Sequence, residues 1–149
     1  GVKRDTDDPV DGVDELFAPA DLDAVLARAE HLVLTCPLTD ETRGLIDAGA
    51  LRRLPDYAVL VNVARGEIVD EDALVAALDA GEIRGAALDV FAEEPLPETS
   101  PLWDREDVIL TPHMAGSTPA FWDRNAKIVA GNYPKFRRGE VDDLRNRVV

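Results

Sequence analysis

YAVLVNVARGEIVDEDALVAALDAGEIRGAALDV, residues 57–90, reads as a strand, a helix and a second strand in that order. Tyr57 to Val63 is an apolar run of strand length, and Ala64-Arg65-Gly66 is the turn that ends it. Asp70 to Ala80 is a helix. Its first turn is acidic, Leu74, Ala77 and Leu78 recur at helical spacing, and Gly81 stands just past its end. Ile83 to Val90 is again apolar. Buried strands joined by a helix belong to a parallel sheet.

The alternation extends in both directions. Ala20 to Glu30 places Leu22, Val25, Leu26 and Ala29 at helical spacing, with Asp21 as a candidate N-cap. His31 to Cys36 reads as a short buried strand stopped by Pro37, and a short helix covers Asp47 to Leu54. A Pro-bearing loop spans Glu93 to Asp107, and Val108 to Thr111 is the last strand. Pro119 to about Phe136 is a long helix, expected to break or kink near Pro134. The polar tail from Arg137 to Val149 is expected to be loosely held. The fold class is therefore α/β, a doubly wound parallel sheet with helices on both faces. Gly1 to Arg4 reads as the end of a strand cut from something longer, and no Gly-x-Gly-x-x-Gly occurs. The expectation is the later part of a Rossmann-like dinucleotide-binding domain, incomplete at its N-terminal end.

Of the 149 residues, 46% are hydrophobic and only 5% aromatic, so the core must be built mostly from Ala, Val and Leu. No apolar run approaches membrane-spanning length and nothing at the start reads as a signal peptide, so a cytoplasmic location is expected. The single cysteine, Cys36, has no internal partner and agrees with a reducing compartment. Thirty acidic residues against 16 basic ones give a net charge of −14. Such a surface repels phosphate backbones and argues against a nucleic acid partner. It suits a halophilic protein, because high salt screens the self-repulsion. No metal site is suggested, since His31 and His113 are far apart and lack ligand-spaced neighbours.

Arg65, Glu94 and His113 each follow an apolar run that reads as a strand. In an open parallel sheet, ligands sit outside the carboxyl ends of the strands. Arg65 offers a planar fork that can take a carboxylate through two parallel hydrogen bonds and polarise a keto oxygen. Its plainer role is that of a surface arginine in an ion pair. His113 can donate and accept a proton near neutral pH, or simply make a structural hydrogen bond. Glu94 can orient the imidazole and favour its charged form, or belong to a solvated acidic loop beside Glu93. Together the three suit reduction of a 2-keto acid. His31 opens its strand, at the end away from a ligand, and reads as structural.

These residues sit in four stretches that resemble the D-isomer-specific 2-hydroxyacid dehydrogenases: Pro37-Leu-Thr-Asp-Glu-Thr-Arg-Gly-Leu-Ile46, Val61-Asn-Val-Ala-Arg-Gly-Glu-Ile-Val-Asp70, Gly85-Ala-Ala-Leu-Asp-Val-Phe91 with Glu94-Pro-Leu-Pro97, and Thr111-Pro-His-Met-Ala-Gly116. They occur in family order and cover most of the chain. The segment Pro95 to Trp103 looks most like the glyoxylate/hydroxypyruvate reductase branch.

The resemblance implies an NAD(P)-dependent oxidoreductase acting on a small 2-keto or 2-hydroxy acid, with Arg65, Glu94 and His113 catalytic. It implies that residues 1–118 are the later part of the nucleotide-binding domain. Residues 119–149 would form a C-terminal helix and tail returning toward a substrate domain that lies outside this sequence. Asp89 matches the position that binds the nicotinamide carboxamide. Cys36, Pro37 and Thr42 match the loop beneath the cofactor ribose. Val63, Ala64, Ala115 and Gly116 would contribute backbone and shape, with Arg65 and His113 also lining the cofactor. Lys3 and Arg4 follow what reads as the second strand of the dinucleotide fold, where cations suit a 2′-phosphate, so NADP(H) is favoured over NAD(H). A homodimer through the nucleotide-binding domain is implied by the resemblance alone. Corepressors of the same fold carry a similar Arg, Glu, His set, which keeps a dinucleotide-dependent scaffold as the rival reading. The isolated 149 residues, lacking the Gly-rich turn, are expected to be inactive.

Overall fold

The computed structural model, described for residues 1–147, is built around four parallel strands in the order β1-β2-β3-β4. They are β1 (His31–Leu34), β2 (Val59–Asn62), β3 (Gly85–Leu88) and β4 (Val108–Leu110). Register runs His31 to Val59, Val59 to Gly85 and Ala86 to Val108. This is a Rossmann-like arrangement whose described strands step across the sheet in one direction. Helix α1 (Leu22–Leu26) precedes β1, α2 (Ala48–Leu51) and α3 (Glu71–Asp79) connect strands, and α4 (Phe121–Arg137) follows the sheet in sequence.

Local chemistry explains the helix ends. Asp47 Oδ1 accepts from the Ala50 N–H at 2.8 Å and Asp70 Oδ1 from the Ala73 N–H at 3.0 Å, capping α2 and α3. At the far end of α3, Gly81 sits at φ +67, the Gly81 N–H donates to Leu78 O and the Glu82 N–H to Ala77 O. That is a Schellman closure, which requires a left-handed residue at this point. The helix expected over 20–30 is shorter than its periodicity suggested. Asp21 sits at the N-cap of α1 but makes no side-chain cap bond, and Ala29 closes onto Leu26 three residues back instead of four.

The core is aliphatic. Leu26, Ile46, Leu51, Leu60, Ile68 and Leu74 are fully buried together. The outer strands depart from the sequence reading. In β1 only Leu34 is buried and Val33 is 53% exposed, so this is not a buried strand. Ile109 in β4 is 67% exposed. Both strands lie at the sheet's edges, where one apolar side suffices. At the start of the chain Val2 makes a single parallel bridge with Phe17, outside the four-stranded sheet.

The chain forms two compact units, Gly1–His113 and Met114–Val149. Within the second, α4 continues through Pro134 to Arg137 without breaking there. The tail is tied down, correcting the expectation of a loose one. Asn132 bonds the Arg145 backbone twice, at 2.8 and 2.9 Å, and Lys135 Nζ donates to Asp143 O at 2.7 Å. Val148 and Val149, the last residues of that predicted tail, lie outside the described residues.

One contact constrains the first unit more than any other. A Cβ added to Gly66 would stand 1.8 Å from Phe91 C, 2.1 Å from Phe91 O and 2.3 Å from Ala92 N. These are backbone atoms that cannot swing aside as a flexible side chain would. Gly66→Ala is therefore expected to lower the unfolding free energy by about 3 kcal/mol or more. A urea titration checks this, and an unchanged midpoint would show that the crossing can relax.

Candidate active site

Because the strands are parallel, their carboxyl ends share one sheet edge. Cys36 and Pro37 follow β1, Val63 to Arg65 follow β2, Asp89 follows β3, and Thr111 to His113 follow β4. Arg65 immediately precedes a short 3-10 turn, Gly66–Ile68. Its Nη1 donates to Ala64 O at 2.6 Å. Asn62, the last residue of β2, is 1% exposed. Its Oδ1 accepts from the Ala64 N–H at 3.1 Å and its Nδ2 donates to Arg65 O at 2.9 Å.

Glu94 reaches two groups. Its Oε1 accepts from the Phe91 N–H at 3.1 Å, and its Oε2 lies 2.8 Å from His113 Nδ1. The hydrogen bond from His113 holds the Glu94 carboxyl below the usual range, helped by the Phe91 N–H and by the charges of His113 and Arg65. His113 itself sits at φ +50, the left-handed region that side chains rarely adopt, with its N–H on Thr111 O at 3.0 Å. Strained backbone of this kind concentrates at functional sites.

Two further groups support the constellation. Thr111 Oγ1 donates to Asp89 Oδ1 at 2.5 Å, and Asp89 is buried at the end of β3. Glu71, in the first turn of α3, accepts the Ala92 N–H at 2.5 Å and pins the loop that carries Glu94. In the loop after β1, Thr42 Oγ1 donates to Pro37 O at 2.7 Å and accepts from the Thr39 N–H at 2.8 Å. Val63 is exposed and Ala64 buried.

The predicted residues thus fall into three groups. Glu94 and His113 are in direct contact, Arg65 acts on Glu94 electrostatically, and Asp89 sits on the same sheet edge with Thr111. Lys3 and Arg4 directly follow Val2, which bridges Phe17 outside the four-stranded sheet. The Lys3 ammonium rests on Asp8 O at 2.7 Å and Oδ2 at 3.3 Å, while Arg4 is exposed. Ala115 and Gly116 belong to the second unit. Among the described residues, no cluster of three or more His, Cys, Asp or Glu is placed to hold a metal. Asn62, Gly66, Glu71 and Thr111 escaped the sequence reading. Only Asn62 carried a signal, as an amide inside an otherwise apolar strand.

Residues 2–115 match the family described as D-isomer specific 2-hydroxyacid dehydrogenase, NAD binding domain. The chain is 43% identical over 120 residues to the glyoxylate reductase of Korarchaeum cryptofilum, covering 80% of this chain and 36% of that protein. It superposes with TM-score 0.84 and 42% identity on a D-isomer specific 2-hydroxyacid dehydrogenase from Xanthobacter autotrophicus, solved with NADPH and MES. That match covers 93% of this chain and 56% of the other. The NADPH-dependent glyoxylate/hydroxypyruvate reductase of Sinorhizobium meliloti, solved with NADP and sulfate, gives TM-score 0.83 and 35% identity, covering 93% of this chain and 44% of that one. The chain spans less than half the length of the curated relatives it matches. On the match across residues 2–115, the chain belongs to the D-isomer specific 2-hydroxyacid dehydrogenase family.

Proposed function

We propose that the intact protein reduces a small 2-keto acid to the D-2-hydroxy acid with a nicotinamide dinucleotide, as a glyoxylate/hydroxypyruvate reductase. The observation that carries this reading is the 2.8 Å contact between Glu94 and His113 Nδ1, at the same carboxyl-end side of the sheet as Arg65.

Reduction adds a hydride to the keto carbon and a proton to its oxygen, and the dinucleotide supplies the hydride when bound. Arg65 holds the substrate carboxylate through its fork and polarises the keto oxygen. Glu94 occupies Nδ1 of His113, so the proton delivered to substrate sits on Nε2. After transfer the neutral imidazole keeps its orientation through the same Glu94 contact. In the reverse direction Nε2 accepts the hydroxyl proton.

The residues present fit the nicotinamide end of the cofactor. Asp89 is a buried carboxylate at a strand's carboxyl end, held by Thr111, and suits an amide donor. Val63, Ala64, Arg65 and His113 would line the nicotinamide. Cys36, Pro37 and Thr42 would lie under the ribose. Lys3 and Arg4 favour the 2′-phosphate of NADP(H), which would take the place of Asp8 on the Lys3 ammonium. The NADPH and NADP complexes of two relatives support that preference. The family resemblance supports a homodimer, and a cytoplasmic location is proposed with it. The −14 charge supports a working environment of high salt.

Three outcomes test the proposal. In the intact protein with glyoxylate and NADPH, Arg65→Ala and His113→Ala are each expected to lower kcat/KM by about 100-fold or more. Steady-state kinetics read this, and full activity in either variant would remove that residue from the mechanism. The lowered Glu94 pKa stabilises the folded state above the ordinary carboxylate value of 4.5, and that stability is lost as pH falls through the lowered value. Wild type should therefore lose more denaturant resistance than Glu94→Gln between about pH 6 and pH 3. Parallel pH profiles would show that the contact does not form in solution. Finally, the thermal midpoint should rise steadily from about 0.1 to 3 M KCl. A flat or falling profile would count against the salt reading.

A further inference from the structure

We propose that Asn62 is a positioning residue that sets the Arg65 guanidinium for the substrate carboxylate. The inference rests on the reading above, in which Arg65 takes that carboxylate.

Position 62 lies on the core side of β2, two residues beyond the fully buried Leu60. An aliphatic side chain would continue the strand's pattern there. A buried amide is tolerated only when its polar atoms are satisfied. Here both are satisfied inside one turn. Nδ2 donates to Arg65 O at 2.9 Å and Oδ1 accepts from the Ala64 N–H at 3.1 Å. Ala64 is thereby held through both of its backbone polar groups. Its N–H is held by Asn62, and its carbonyl oxygen receives Arg65 Nη1 at 2.6 Å. The surface on which the guanidinium rests is therefore placed by the Asn62 amide. The Asn62 backbone carbonyl, which any residue here would supply, accepts from the Asp89 N–H at 3.0 Å and ties this turn to the end of β3. An aliphatic residue could fill the same space, but it could make neither bond.

A role in stability alone and a role in positioning predict different kinetics. The test compares Asn62→Ala, Arg65→Ala and the double variant in the intact protein, with glyoxylate and NADPH as substrates. Asn62→Ala should raise the glyoxylate KM by about tenfold while leaving the NADPH KM within about twofold. In the Arg65→Ala background it should have no further effect on the glyoxylate KM, because its target is gone. Asn62→Ser, which leaves a smaller cavity but cannot span both partners, replaces Asn62→Ala if that variant does not fold. Equal rises in both KM values, or effects that add in the double variant, would overturn the proposal. So would an unchanged glyoxylate KM in the folded Asn62 variant. An unchanged glyoxylate KM in Arg65→Ala would overturn the carboxylate reading itself, and this inference with it.

Discussion

The closeness of the Phe91–Ala92 backbone to Gly66 is the constraint on which the site depends. With less than 2 Å between a Cβ at position 66 and Phe91 C, the two segments touch main chain to main chain. One segment leaves β2 with Arg65, and the other leaves β3 and leads to Glu94. Their approach sets how far apart a guanidinium and a carboxylate on opposite segments can be. The Glu71 bond to the Ala92 N–H holds the crossing from the helix side. The Glu94 bond to the Phe91 N–H makes a tight loop of the last few residues. The imidazole then arrives from a third strand end, on a backbone forced to positive φ. Each catalytic candidate is thus held by the turn beneath it, and a loop anchored only at its ends would hold none of them.

Much of this was legible in the sequence, because the signals were strong and local. The period of Leu74, Ala77 and Leu78, the acidic start and the terminal Gly81 all point to α3, and Asp70 and Gly81 act as its cap and its stop. Arg65, Glu94 and His113 could be singled out because strand ends in a parallel sheet collect ligands. The misreadings occurred where sequence carries no local signal. An apolar strand looks alike at an edge and at a centre, so β1 was read as buried although Val33 is exposed. The crossing at Gly66 depends on a backbone 25 residues away in sequence, which no local pattern reveals. Asn62 was visible as an amide among aliphatic residues, but its partners lie in the turn, and only geometry shows them.

Under the proposed function, the charge of the chain gives the site a particular problem. A 2-keto acid and a phosphorylated dinucleotide are both anions, and this protein carries 30 acidic residues against 16 basic ones. Long-range attraction does not favour such ligands on such a surface. In molar salt the screening length contracts to about 3 Å, so both repulsion and steering disappear beyond direct contact. What survives is the directional, charge-assisted hydrogen bond made at contact distance. A bidentate guanidinium fits that regime better than a diffuse basic patch, because its selectivity lies in geometry rather than in field. That makes the exact placement of Arg65 matter more than the number of cations near it. The buried Asn62 amide and the glycine beneath the Phe91 crossing then become as necessary to the site as the groups that would touch the substrate.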